Sequence, residues 1–358
     1  MHLVKLDINH VRNLSEVSLE CHPAANIIVG KNAAGKTAIL ESIYLLARVS
    51  SFRTPKITDV IQYGKNNLSV TALIKDKENN QIATGIEKSK QNTQIKFNGN
   101  KVVRRSDQAR NLPVITITTE SHRLLYGTPK ERRHWLDWSM FHVEHDYMQN
   151  WHDYHYALRQ RNSLLRATTA GKTQYEAWEE ILAKTAVKLR SARGEYIKKI
   201  SQSLGMFIEG DIKEPTIKLQ STEETENVIK ERLDRQRKND MVAGHTTYGP
   251  HREDVIFEVG GREAGKVLSR GEGKLLVVFL LAIQAEEYKK RTGQTPLILI
   301  DDLPSELDVL ARRKILQMLG KQKQQLFITS TSADLLDISS MPNAMFHVEH
   351  GKLVEVVE

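Results

Sequence analysis

An α/β architecture is predicted for this chain of 358 residues, built from a strand-rich lobe and an alternating strand-helix core with a helical lobe inserted between them. Three observations predict it. Residues 3–8, 17–19, 26–29, 68–75, 82–88, 94–98 and 113–118 are short apolar or alternating segments joined by polar turns. From about residue 129 to 237 the apolar spacing becomes helical, over 147–165 and 175–204, with few breakers before Gly205. After Gly244 strands at 254–259, 297–300 and 326–329 alternate with helices at 271–291 and 309–320, the signature of a parallel sheet. Residues 1–118 and 244–358 are therefore expected to form one lobe and 119–243 the other.

Within the first lobe, the strand at 26–29 leads into Gly30, Lys31, Asn32, Ala33, Ala34, Gly35, Lys36 and Thr37, and a helix follows over 38–47. Strand, G-x-x-x-x-G-K-T and helix is a phosphate-binding loop. Its glycines let backbone N–H groups close on the phosphates, Lys36 reaches the β- and γ-phosphates, and the Thr37 hydroxyl is placed on Mg2+. A nucleoside triphosphate, ATP, is the expected cofactor.

The strand at 297–300 is apolar throughout and ends in Asp301 and Asp302, at the edge where open α/β sheets bind ligands. Asp301 is expected to hold Mg2+ and Asp302 to orient or deprotonate the attacking water. Upstream, Leu268, Ser269, Arg270, Gly271 and Glu272 open a helix. A hydroxyl and free N–H groups at a helix start make a second anion site, or a plain N-cap. Three residues after the carboxylates stands Ser305-Glu306-Leu307-Asp308.

In this order the motifs resemble the ABC-type ATPases of the SMC/Rad50 class, and more narrowly the RecF family of bacterial recombination mediators. The narrower resemblance rests on Val11-Arg12-Asn13-Leu14, on Pro129 with Arg132, Arg133, Leu136, Asp137 and Trp138, and on Gly249-Pro250-His251-Arg252-Glu253-Asp254. It implies a head-to-tail ATP-dependent homodimer in which Ser269, Arg270 and Gly271 of one subunit face the loop of the other, with Lys36 and Asp302 catalytic and Arg12 and Asn13 beside the nucleotide. It also implies a weak, DNA-dependent ATPase binding duplex DNA near single-strand gaps, partnership with RecR and RecO in loading RecA, and a part in the SOS response. A scaffold that binds ATP to dimerise and recruit partners, its hydrolysis incidental, is the second reading. Glu120 is the candidate for the glutamine-loop position.

Two departures from the family pattern stand out. Glu272 occupies the place of the usual signature glutamine, where a carboxylate near triphosphate repels unless a cation such as Arg270 faces it. The usual switch histidine is absent from Leu-Phe-Ile-Thr-Ser-Thr-Ser at 326–332, which leaves Thr329 or Thr331 to sense the γ-phosphate. Both predict slow turnover.

Charge agrees with a polyanionic partner: the net +8 divides into +12 over residues 1–200 and −4 over the rest. Lys101, Arg104, Arg105, Arg110, Arg123, Lys130, Arg132, Arg133, Arg159, Arg161 and Arg166 are the candidate phosphate contacts. His134, His142, His145, His152 and His155 crowd one interval without a zinc-site spacing, and Trp135, Trp138, Trp151 and Trp178 read as packing residues. The single Cys21, the lack of an apolar leader and the lack of any membrane-length run predict a reducing, cytoplasmic setting with no membrane contact. The hexapeptide Met-Phe-His-Val-Glu-His occurs twice, at 140–145 and 345–350, and reads as coincidence.

Overall fold

The computed structural model describes residues 1–144, 146–167, 171–207, 212, 215–321, 323–336 and 341–357; His145 of the histidine-rich interval and of the first hexapeptide lies outside them. The chain divides into two compact units, residues 1–121 with 277–358, and 122–276. The sequence placed these boundaries at 118/119 and 243/244. Residues 244–276 group with the helical unit because their strand pairs with one that lies inside the stretch read as helical.

The first unit opens with β1 (His2–Val11), β2 (Leu14–Glu20), β3 (Ala25–Val29) and α1 (Lys36–Arg48). It continues with β4 (Asn67–Lys75), β5 (Gln81–Ser89), β6 (Thr93–Phe97), β7 (Asn100–Lys101), α2 (Arg105–Asn111) and β8 (Val114–Ile117). The second unit holds α3 (Arg123–Tyr126), α4 (Pro129–Val143), α5 (Tyr147–Arg166), α6 (Lys172–Phe207), β9 (Pro215–Gln220), α7 (Glu226–Ala243), β10 (Asp254–Val259), β11 (Arg262–Glu263) and α8 (Ala264–Val267). Helix α9 (Arg270–Thr292) carries the chain back to the first unit, which ends with β12 (Leu297–Ile300), α10 (Leu303–Glu306), α11 (Val309–Lys321), β13 (Leu326–Ser330), β14 (Asn343–Glu349) and β15 (Lys352–Val357).

Two six-stranded sheets organise the first unit. One runs β2-β1-β4-β5-β6-β7, antiparallel, and its inward positions alternate, as Leu6 and Ile8 do on β1 and Leu68, Val70, Ala72 and Ile74 on β4. The other runs β15-β14-β3-β13-β12-β8, with β14, β3, β13, β12 and β8 mutually parallel. Its central strands β3, β12 and β13 are buried at every position, which is why they read as unbroken apolar runs rather than alternations. Helix α1 packs Ile39, Leu40, Ile43 and Leu46 into the core shared by the two sheets.

In the second unit, α5 and α6 pack together and β9 pairs antiparallel with β10, Ile217 opposite Phe257 and Leu219 opposite Val255. Buried ion pairs thread this unit. The Arg161 guanidinium, with no exposed surface, donates to Glu179, Asp240, Thr246 and the Leu233 carbonyl. Among the described residues no helix is long and apolar enough to cross a membrane.

Candidate nucleotide site

Strand β3 ends in Gly30, and the loop that follows is shaped by backbone conformations that side chains resist: Gly35 has φ +121° and Ala33 φ +64°. A Cβ on Gly35 would stand 2.7 Å from Cδ2 of Leu14, so this glycine is required by close approach as well as by φ. Asn13 Nδ2 donates to the Ala33 carbonyl (3.1 Å) and the Gly351 N–H donates to the Ala34 carbonyl (2.8 Å). The loop is thus braced by the turn after β1 and by the turn between β14 and β15. Lys31, Asn32 and Ala33 are exposed.

Lys36 is buried and its Nζ donates to the Gly30 and Lys31 carbonyls (2.6 and 2.9 Å). Burial lowers its pKa, and the charges of Asp302 and Asp301 pull it back up. Thr37 Oγ1 donates to Asp301 at 2.9 Å, bringing together residues 264 positions apart. An ammonium, a hydroxyl and a carboxylate at one loop form a donor set that fits a triphosphate with a hard divalent cation.

Between the loop strand β3 and the carboxylate strand β12 lies β13, and it delivers a residue whose role the sequence did not reveal. Thr329, with no exposed surface, donates its hydroxyl to Asp301 Oδ1 (2.8 Å) and accepts the Asp302 N–H (2.7 Å). Its hydrogen-bonding capacity points at the carboxylates, which corrects the expectation that Thr329 senses the γ-phosphate. Thr331 is exposed and keeps that candidacy. Asp302 itself sits in the left-handed region, φ 53° and ψ 53°, a conformation that costs a non-glycine residue roughly 1–2 kcal/mol.

Arg12, expected beside the nucleotide, is oriented by protein: Nε and Nη2 clamp the fully buried Glu41 (2.9 and 2.8 Å) and Nη1 donates to the Asp59 carbonyl (2.7 Å). The hydrogen bond to Glu41 raises its pKa. Glu120 is exposed in the short turn after β8, on the same sheet edge as Asp301.

Ser269, Arg270, Gly271 and Glu272 belong to the second unit and are exposed at the start of α9. Glu272 does not face Arg270. Its carboxylate accepts the Ser269 N–H (2.8 Å) and hydroxyl (2.6 Å) while its own N–H donates to the Ser269 Oγ (3.3 Å). This reciprocal pattern is a capping box. The Ser-x-x-Glu spacing signalled it, and the hydrogen bonds from Ser269 lower the Glu272 pKa.

Two of the candidate phosphate contacts are structural. Arg161 is buried in its ion-pair network, and Arg132 forms a two-pronged pair with Asp254 at 2.8 Å. Lys101, Arg104, Arg105, Arg110, Arg123, Lys130, Arg159 and Arg166 are exposed. Of the aromatic group, Trp135 packs edge-on to Phe257, Trp151 Nε1 donates to Asp137, and His142 and His155 lie against Trp138 and Trp151.

The family described as RecF/RecN/SMC N terminal domain matches residues 2–353. The chain is 34% identical over 359 residues to the DNA replication and repair protein RecF of Hydrogenovibrio crunogenus, covering 99% of each. It is 35% identical to the protein of that name from Shewanella frigidimarina, with full coverage of both. Among solved structures, the recombination mediator protein RecF with ATP, in the RecFOR pathway, superposes with TM-score 0.88 at 25% identity, covering 100% of this chain and 98% of that one. An SMC head bound to the C-terminal winged-helix domain of ScpA shares the fold alone, at 12% identity and TM-score 0.58. Phosphate-binding loop, carboxylate strand and capped signature helix, in an SMC-type ATPase head with a helical lobe in place of a long coiled coil, are those of the RecF family, to which the chain belongs.

Proposed function

We propose that this chain is an ATP-dependent DNA-repair ATPase of the RecF type, whose nucleotide-bound homodimer clamps duplex DNA near single-strand gaps and hydrolyses ATP slowly. The observation that carries the proposal is the meeting of Thr37 with Asp301, which sets the loop and the carboxylate strand on one site. Gly30 to Thr37 wrap the phosphates, and Lys36 exchanges its two loop carbonyls for β- and γ-phosphate oxygens. Mg2+ supplies charge neutralisation and a template for those oxygens, and Thr37 and Asp301 are the residues that would hold it. Asp302, fixed by Thr329, orients the attacking water and accepts its proton. Ser269, Arg270 and Gly271 approach the phosphates of the partner subunit from the start of α9, and Asn13 keeps the loop in shape for them. The names of the relatives support work on DNA, and the RecFOR pathway supports partnership with RecR and RecO, with RecA loading and the SOS response downstream.

The test is molar mass in solution with and without Mg2+-ATP for the wild type, Lys36→Met and Ser269→Arg, each with and without a gapped duplex. Nucleotide should convert monomer to dimer, both substitutions should prevent it, and DNA binding should track the dimer. An unchanged mass with nucleotide-independent DNA binding would overturn the clamp.

A further inference from the structure

In the second unit, the buried and half-buried arginines find carboxylates with one exception. Arg132 pairs with Asp254, Arg161 with Glu179 and Asp240, Arg190 with Glu253 and Glu224, Arg193 with Asp137, Arg232 with Glu224, and Arg237 with Glu179. Half-buried Arg133 has no such partner among the described residues. Its guanidinium donates to one neutral acceptor, the Glu253 carbonyl, at 2.6 Å. Burial lowers its pKa most and repulsion from Arg193 and Arg252 lowers it further, while the carboxylates of Asp254 and Asp137, which pair with Arg132 and Arg193, offset this in part. A cation half removed from water and set against like charge, near carboxylates already engaged by Arg132 and Arg193, is unfavourable in the free protein.

The neighbouring Arg252 is exposed and forms no ion pair among the described residues, yet the turn that carries it is immobilised. The Arg252 N–H closes a turn onto the Gly249 carbonyl (2.8 Å), and the Pro250 carbonyl accepts from Arg193 (2.9 Å). His251 is held between the Tyr154 hydroxyl (2.6 Å) and the Thr246 carbonyl (3.0 Å). Arg252 is therefore carried by a rigid backbone turn, next to the Glu253 carbonyl that the Arg133 guanidinium holds.

We propose that Arg133 and Arg252 form a phosphate site that takes one backbone phosphate of duplex DNA, an assignment that rests on the DNA-binding reading above. A carboxylate is saturated by a single guanidinium fork, whereas a tetrahedral phosphate offers acceptors to two at once. The rigid turn leaves little ordering to be done on binding. Contacts of this kind fix position without reading bases.

The test is the salt dependence of binding to a fluorescent gapped duplex, with Mg2+-ATP, for the full-length wild type, Arg133→Gln and Arg252→Gln. Each variant should reduce the slope of log affinity against log salt by about 0.9, one phosphate's share. DNA-independent ATP hydrolysis should be unaltered. Unchanged slopes in both variants overturn the site, as does a lowered melting temperature of Arg133→Gln with an unchanged slope, which would make its role structural. If Arg133→Gln does not fold, the exposed Arg252→Gln carries the measurement.

If the wild type binds no DNA in any nucleotide state, the DNA reading has failed rather than the site. Inorganic phosphate then decides, titrated at constant ionic strength into protein carrying Lys36→Ala so that the loop does not respond. A rise in melting temperature that Arg133→Gln abolishes upholds a phosphate site and rejects DNA as its occupant; no rise rejects the site. A phosphate-dependent rise together with unchanged DNA slopes likewise assigns the site to free phosphate and overturns the proposal.

Discussion

At the scale of the residue, Thr329 is the side chain on which the carboxylate pair depends. Its hydroxyl joins Asp301 to the Asp302 backbone, so Thr329→Val leaves the Asp302 N–H unmatched and removes one of the two hydroxyl donors to Asp301 Oδ1, at a cost of roughly 1–3 kcal/mol in stability. We expect ATP turnover to fall at least tenfold with little change in the nucleotide concentration that half-saturates it, and Thr329→Ser to restore most of the loss. Steady-state hydrolysis and denaturant unfolding of the three proteins check this. His251 gives a second residue-scale outcome. Burial holds its pKa down to about 4, below the unfolded value, so the folded state binds fewer protons than the unfolded state between about pH 6.5 and 4. Stability conferred by the neutral ring is complete above that window and is lost as pH falls through it, by up to about 1.4 kcal/mol per pH unit. His251→Gln should flatten melting temperature against pH in that range.

At the scale of the element, α9 shows how a departure from a family pattern can be absorbed locally. Glu272 caps its own helix through Ser269, a role that glutamine fills equally well. Glu272→Gln should therefore leave unfolding free energy within about 0.5 kcal/mol of wild type, while Ser269→Ala loses the cap at about 1 kcal/mol. Because Glu272→Gln also removes a negative charge from the helix start, it should strengthen ATP-dependent dimerisation, read as molar mass against nucleotide concentration. Most elements were legible from period alone: α1, β12 and β13 lie within two residues of their expected bounds. β9 was not, because Pro215–Gln220 is short, polar at alternate positions and stabilised by pairing with β10, a partner distant in sequence. The repeated hexapeptide makes the same point from one string of residues. Its first four residues end helix α4 in one copy, and in the other the same four lie in strand β14, so packing context overrides local preference.

At the scale of the whole molecule, the loop and the carboxylates could be read in sequence as motifs that share one Mg2+, but the strand order that brings them together could not. Strand order within a sheet is a tertiary property, and nothing in the chain announces that β3 lies between β13 and β14. The placement of Thr329 between loop and carboxylates follows only from that order. The Arg12 ion pair was hidden for a related reason: its partner Glu41 lies one helix away, and both look like surface charges in sequence. The exchange of Arg133 for its paired neighbours is likewise visible only once carboxylates have been assigned in space.

The bracing of the loop by Gly351, and of its strand by β13 and β14, bears on how the protein is made. Residues 30–37 emerge early from a ribosome, but the strands on both sides of β3 arrive some three hundred residues later. At about 5–20 residues per second, the loop strand waits some tens of seconds for the strands that flank it, and its apolar face lacks them in the meantime. Nascent chains arrested before residue 326 should bind no ATP, whereas chains carrying residues through 357 beyond the exit tunnel should bind it, a contrast that photo-crosslinking with an azido nucleotide can read directly.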